Sequence, residues 1–232
     1  MSERSTTPDA TALQWACITV DGAQSETYLQ GQLSQDLSSL GPTGSWALLL
    51  EPDGTVLTSC FVEGGGEHFA LTVPRDLGDA ALARLRRFHL RVDCTLELRD
   101  AANGPFDDER SMIDAGWPSS REFATPLTPQ SFGATFVRTT VSFTKGCFTG
   151  QELVGRLDAR GSSVPWRLVR GEGPNAARLD EVLRSKGPDG PKGVTTVVTT
   201  TTGVRALGLA HRTLLEPSFL ETLSDVTIDA VA

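Results

Sequence analysis

Two apolar runs, Trp46 to Leu50 and Thr55 to Val62, flank the tetrapeptide Glu51-Pro52-Asp53-Gly54. Proline presets the φ of a turn, Asp accepts from backbone amides further along, and Gly takes left-handed backbone freely, so the two runs are expected to fold back as a β-hairpin. An antiparallel pair inside the N-terminal half then has to find further strands. Leu13 to Val20 has the length and β-branched content of one, and Asp21-Gly22 ends it. Ala23 to Leu33 reads as a helix. Beyond the hairpin, Gly64-Gly65-Gly66 turns the chain into Phe69 to Val73, and Leu77, Ala81, Leu85 and Phe88 repeat at helical spacing over Pro74 to Phe88. Arg84, Arg86 and Arg87 in its last turn suit the helix dipole and read as a solvated face. Val92 to Leu98 closes the unit as a strand. Strand, helix, hairpin, strand, helix, strand is an α+β pattern with a ferredoxin-like antiparallel sheet.

Ala101 to Pro129 is loop-rich, with a short helix over Glu109 to Ala115, and Phe136 to Phe143 reads as a strand. After Gly161 the pattern is all-β, with strands expected at 165–171, 194–202, 204–210 and 226–231 and a helical turn over Leu179 to Lys186. Short strands in a stretch of that size suit a small closed β-barrel. The expected organisation is a lead-in at 1–11, an α+β domain at 12–160 with subdomains at 12–100 and 101–160, and a barrel at 161–232.

The formal charge of −8 disfavours a nucleic-acid partner, because phosphate binding runs on clustered Lys and Arg. Cys17, Cys60, Cys94 and Cys147 lack the spacing of zinc or iron–sulfur ligands, and His68, His89 and His211 are scattered, so no metal site and no disulfide framework is expected. With no long apolar run and no charged-then-apolar leader, the chain reads as cytoplasmic and free of membrane.

The stretch with chemistry in it is Lys145-Gly146-Cys147-Phe148-Thr149-Gly150-Gln151-Glu152. Thr149 and Glu152 have capping-box spacing, which predicts a helix starting at Gly150, burying Leu153, Val154 and Leu157 and ending at Arg160-Gly161. Cys147 just upstream, with Lys145 beside it, has the setting that draws a thiol below its free pKa of about 8.5. Inert packing is the alternative, since free cysteines are among the most buried residues.

The same eight residues resemble the K-G-C-Y/F-x-G-Q-E signature of the YgfZ family, folate-binding relatives of the glycine cleavage T-protein that support iron–sulfur cluster assembly. Tyr28-Leu29-Gln30-Gly31-Gln32-Leu33-Ser34-Gln35-Asp36 is similar to that family's F-L-Q-G-Q-x-T/S-x-D element, and Arg86 to Val92 to its helix-to-strand junction. Pro129-Gln130-Ser131-Phe132 is the nearest approach to the family's P-x-E-x-N-L run, and Phe148 stands where tyrosine is commoner. The resemblance implies a T-protein-like architecture holding tetrahydrofolate where the α+β parts meet a barrel. It implies thiol chemistry at Cys147 assisted by Lys145, and a folate set of Gln32, Asp36, Gln151, Glu152 and Arg156. Arg87 or Arg91 is a further candidate for the folate tail, as guanidinium suits carboxylates. Iron–sulfur client or assembly proteins are the implied partners. A folate-dependent aminomethyltransferase, with Asp36 handling the proton, and a scaffold that has lost folate remain as alternatives. From the residues alone, Asp36 reads as the cap of a short turn, Gln32 as solvated and Glu152 as a helix cap.

Overall fold

A computed structural model describes residues 12–161 and 164–231; the lead-in expected at 1–11 lies outside them. The hairpin is present, with β2 (Ser45–Leu50) paired to β3 (Val56–Gly65) across the Pro-Asp-Gly turn. With β1 (Trp15–Asp21), β4 (His68–Pro74) and β5 (Thr95–Ala101) it forms a five-stranded antiparallel sheet of order β2-β3-β4-β1-β5. β1 pairs along its whole length with β4 on one side and β5 on the other. α1 (Ser25–Gln32) therefore joins two strands that are not neighbours, the split connection of ferredoxin-like sheets. α1 and α2 (Gly78–Arg86) cover one face, where Ile18, Val20, Leu29, Leu49, Val62, Leu71 and Leu85 form a core.

β2 is buried on both faces. Ala47 and Leu49 point into that first core, while Leu48 and Leu50 enter a second one on the opposite side. Four consecutive buried apolar residues are what such a strand needs, whereas a half-exposed strand would alternate. The second core is rich in aromatic rings. Trp46 and Trp117 have centroids 4.2 Å apart, Trp117 and Phe136 4.9 Å, and Phe132 and Phe136 5.4 Å. It takes residues from the middle segment, which carries α3 (Glu109–Ala115), α4 (Ser120–Phe123) and α5 (Ala134–Thr140), and also from the C-terminal sheet.

That second sheet, of order β7-β8-β6-β9, comprises β6 (Trp166–Gly173), β7 (Gly193–Thr199), β8 (Val204–His211) and β9 (Thr227–Ala230). Where the sequence suggests closure into a barrel, the described strands pair as a four-stranded antiparallel sheet with β7 and β9 at its edges. α7 (Ala176–Arg184) lies across one face. Gly208 makes this possible, since a Cβ there would stand 2.5 Å from Leu183. The other face meets the aromatic core through Leu168, Leu207 and Leu209.

Three local expectations are corrected. Residues 136–143, expected as a strand, are mostly helix: Phe136, Val137, Thr140 and Val141 are buried at helical spacing, and the Thr140 hydroxyl donates to the Phe136 carbonyl at 2.7 Å. β5 begins at Thr95 rather than Val92, because the turn after α2 uses more chain than the pattern suggested. α2 begins at Gly78, after a 3₁₀ turn over Arg75–Leu77.

Glu122 on α4 is fully buried. Its carboxylate accepts from the Ser119 amide at 2.6 Å, the Ser119 hydroxyl, and the hydroxyls of Thr195 and Thr196 on β7. Glu122→Ala is expected to cost about 3 kcal/mol, because it leaves those donors unpaired in the core. Removing the exposed Glu152, which pairs with Arg156 on α6 (Gln151–Ala159), is expected to cost less than about 0.5 kcal/mol. Urea denaturation of Glu122→Ala and Glu152→Ala side by side measures the difference; equal effects would mean that the buried network carries no weight.

Candidate thiol loop and its neighbouring cavity

The chain leaves α5 at Thr140 and re-enters helix at Gln151, and the loop between is clasped to the end of α1. The Ser142 amide donates to the Ser34 carbonyl at 2.9 Å and the Thr149 amide to the Gly31 carbonyl at 3.0 Å. Ser34 works in both directions. Its hydroxyl donates to the Thr140 carbonyl at 2.6 Å and accepts from the Leu48 amide at 2.8 Å, tying the loop's start to β2. Phe148 is buried in the aromatic core and anchors the loop from within. Gly150, at φ +84°, passes so close to β2 that a Cβ would stand 2.7 Å from the Glu51 carbonyl oxygen. Gly146 and Cys147 are left exposed at the tip.

Cys147 is thus the exposed thiol of the four. Burial pushes the thiols of Cys17 and Cys94 up, and that of Cys60 up to about 12. Lys145 does not spend its donors on the thiol. Its ammonium donates to the carbonyls of Gln30, Leu33 and Gln35 at 2.8, 2.7 and 2.8 Å, which occupies all three N–H groups. Burial pushes this lysine down to about 8, against the pull of the Asp36 carboxylate.

The capping box expected at Thr149 and Glu152 does not form. Gly150 takes the N-cap position with left-handed backbone, the Thr149 hydroxyl donates to the Gly31 carbonyl at 3.3 Å, and Glu152 turns to Arg156. Of the expected stripe on α6, Val154 is fully buried and Leu153 and Leu157 are half-buried. The Gln151 side-chain oxygen lies 3.4 Å from the Phe148 amide. Asp36 caps the 3₁₀ turn Leu37–Ser39; bonds from the Gln30 amide and from Ser38 hold its carboxyl below the usual range.

Gln32 is buried, not solvated. Its side-chain oxygen accepts from Arg84, which also donates from Nε to the Leu50 carbonyl at 2.9 Å. Arg84, read from the sequence as part of a solvated face, is therefore a buried strut between α2, α1 and β2. Gln32 ends α1 and Asp36 caps the turn after it, while Gln151, Glu152 and Arg156 lie on α6.

A cavity of about 170 Å³ does lie beside the loop, lined by Gln130, Gly133, Ala134, Val137, Arg138, Phe143, Asp158 and Arg167. Gln130 is 2% exposed; its amide nitrogen donates to the Val154 carbonyl at 3.0 Å and its side-chain oxygen is buried without a partner. Arg167 donates to the Gln130 backbone carbonyl at 3.1 Å. Of this lining the sequence pointed only at Gln130, within Pro129-Gln130-Ser131-Phe132; Arg138, Asp158 and Arg167 come from three other elements, and no spacing connects them. A larger cavity, about 420 Å³, lies between Trp15, Arg75, Glu109 and Arg121, away from every residue selected from the sequence.

Lys145→Met is expected to lower stability by about 2 kcal/mol near neutral pH, since three carbonyls lose their donor. The unfolded chain holds this proton up to about 10.5, whereas the folded chain releases it near 8. Between those values the folded state binds fewer protons, so wild-type stability relative to Lys145→Met should rise with pH across the window. Chemical denaturation of both proteins over that range measures it, and a falling difference would mean that the three carbonyls, not burial, govern the lysine's hold on its proton.

No family profile matches the chain. It is 24% identical over 238 aligned residues to the tRNA-modifying protein YgfZ of an Enterobacter species, covering 72% of each chain. It is 27% identical over 192 residues to an uncharacterized protein of Haemophilus influenzae, covering 65% of this chain and 68% of that one. Among solved structures, aminomethyltransferase T of the glycine cleavage system from Bartonella henselae superposes with a TM-score of 0.54 at 12% identity, over 88% of this chain and 80% of its own. In sequence the chain is thus similar to a YgfZ protein, and in fold to aminomethyltransferase T.

Proposed function

We propose that this chain is a tetrahydrofolate-binding accessory protein that acts in iron–sulfur cluster assembly or repair through Cys147. The observation that carries the reading is the placement of that thiol: exposed at the tip of a loop fixed by Lys145, Ser142, Thr149 and Phe148, next to a cavity with an unpaired acceptor. A reactive group needs both access and a rigid support. One thiol supplies one of the four ligands a cluster usually takes, so a cluster passing through this protein would be shared with a partner.

Folate suits the residues present. The cavity has room for a ring system and not for a whole folate, so the head would enter it and the tail would run outside. Gln130 would accept from a ring N–H, Phe143 would cover the ring, and Arg138 and Arg167 would meet the anionic remainder. Gln151, two turns from Asp158 on α6, would meet the part of the folate that runs outside the cavity, with the Glu152–Arg156 pair further round the same helix. Gln32 and Asp36 act by holding the α1 turn to which the thiol loop is clasped. When bound, the folate would supply one-carbon chemistry.

Proton transfer by Asp36 is disfavoured, since its hydrogen bonds hold its carboxyl below the usual range and make it a weaker base. The name of the Enterobacter relative connects that protein with tRNA modification. With a net charge of −8, we place this chain in any such process through a protein partner rather than through RNA in its own grasp.

Calorimetric titration with tetrahydrofolate under anaerobic, reducing conditions tests the pocket. Wild type and Cys147→Ala are expected to bind alike, and Gln130→Leu at least about tenfold more weakly, the worth of one buried polar contact. Absence of binding by the wild type would leave a scaffold that has kept the fold without the ligand. In cells, Cys147→Ala should accumulate normally and fail to replace the wild type in cluster-dependent function. Full complementation by that variant would remove the thiol from the mechanism.

A further inference from the structure

We propose that the turn following α2, Arg86 to Arg91, is a docking knob for a protein partner that presents a short acidic segment around an apolar notch. Arg86, Arg87, Phe88, Leu90 and Arg91 are all exposed. Leu90, at 81%, is the most exposed large apolar side chain among the described residues. Phe88 beside it is 38% exposed, so two such groups share one turn. In a chain of net charge −8, the stretch from Asp79 to Asp93 has no acidic residue between its ends and carries four arginines. Arg84 is buried and Arg87 lies 3.9 Å from the Glu51 carboxylate, which leaves Arg86 and Arg91 as the exposed cations beside the knob.

The turn is rigid. The Tyr28 hydroxyl donates to the Leu85 carbonyl at 2.6 Å, the His89 ring packs edge-on against Tyr28 at 5.3 Å, and its Nε2 lies 3.2 Å from the Cys94 sulfur. Arg91 is the one non-glycine residue with positive φ, +57°, among the described residues. A side chain in left-handed backbone costs energy that a plain connection would avoid. Here it follows directly on Leu90, the exposed apolar group of the turn.

The chemistry of the knob selects the class of partner. Single-stranded nucleic acid needs open aromatic faces, yet the Phe88 ring has the Arg84 guanidinium 4.5 Å from its centroid, and an aliphatic Leu90 offers no stacking surface. An anionic bilayer needs a broad apolar face, and this chain's net charge opposes both polyanions. Arginines around an apolar anchor, with complementary carboxylates opposite, are the makings of a protein contact. The knob is also joined to the thiol loop: Arg84 donates to the Leu50 carbonyl, and the next carbonyl, that of Glu51, packs against Gly150. Arg84 thus ties the helix that carries the knob to the strand end against which the thiol loop packs. The inference does not depend on folate binding.

Selection of a random-peptide display library on the full-length protein, followed by affinity measurement of the synthesised winners, tests it. The winners are expected to cluster Asp or Glu around one or two apolar residues and to bind Arg91→Gly and Leu90→Ser at least about tenfold more weakly. Glycine relieves the left-handed backbone, so Arg91→Gly should keep or raise Tm while losing affinity, separating docking from folding. Failure to enrich any peptide, winners without carboxylates, or affinities that both substitutions leave unchanged would overturn it. So would tighter, substitution-sensitive binding of oligouridylate or of phosphatidylserine vesicles, each assayed alongside.

Discussion

The structure depends on a strand that has no outside. β2 sends Ala47 and Leu49 into the core beneath α1 and α2, and Leu48 and Leu50 into the aromatic core shared with the C-terminal sheet. Burial of apolar area on both faces makes this strand a common wall for two compartments. Its end, at Leu50 and Glu51, is where the polar attachments converge: Arg84 reaches the Leu50 carbonyl and Gly150 packs against that of Glu51. The position of the thiol loop follows from that wall rather than from local helix chemistry.

The two sequence elements that resemble the YgfZ family prove to be the two halves of one clasp. Gly31, Leu33, Ser34 and Gln35 on one side receive Thr149, Lys145 and Ser142 from the other. Residues over a hundred positions apart therefore share a physical reason for occurring together, whatever ligand is bound nearby. Cys147, exposed between Lys145 and Thr149, is the residue this reason does not cover. It takes no part in the packing that fixes its loop, which leaves its side chain free for chemistry.

Much of the fold was legible because turns and periodicities agree. Pro52-Asp53-Gly54, the length and β-branched content of β1 and the short strands after Gly161 all pointed where the chain goes. The misreadings have physical causes. Ser119 and Glu122 have the same spacing as Thr149 and Glu152, and only the former pair forms a capping box, because Ser119 is extended whereas Gly150 takes the cap position in left-handed backbone. Phe136 to Phe143 looks like a strand by its β-branched residues, and tertiary burial of a helical face overrode that preference. Arg84 looked like one of three solvated arginines. Only the fold shows that its position on α2 faces Gln32 and the end of β2. The cavity around Gln130 was the least legible, being assembled from α5, the thiol loop, α6 and β6 without any sequence spacing to announce it.

The clasp has a consequence for how this chain can vary. Lys145 holds three carbonyl oxygens, and carbonyl oxygens are present whatever the side chain. Gln30, Leu33 and Gln35 therefore owe nothing of their chemical identity to the lysine that grips them. An ancestor that exchanged the side chains at positions 30 and 35 would have given up their bonds to Asp36 and to the Thr139 carbonyl without costing the lysine an acceptor, while losing the single lysine would have freed all three contacts together. Sequence drift is thus cheap on one side of the joint and expensive on the other.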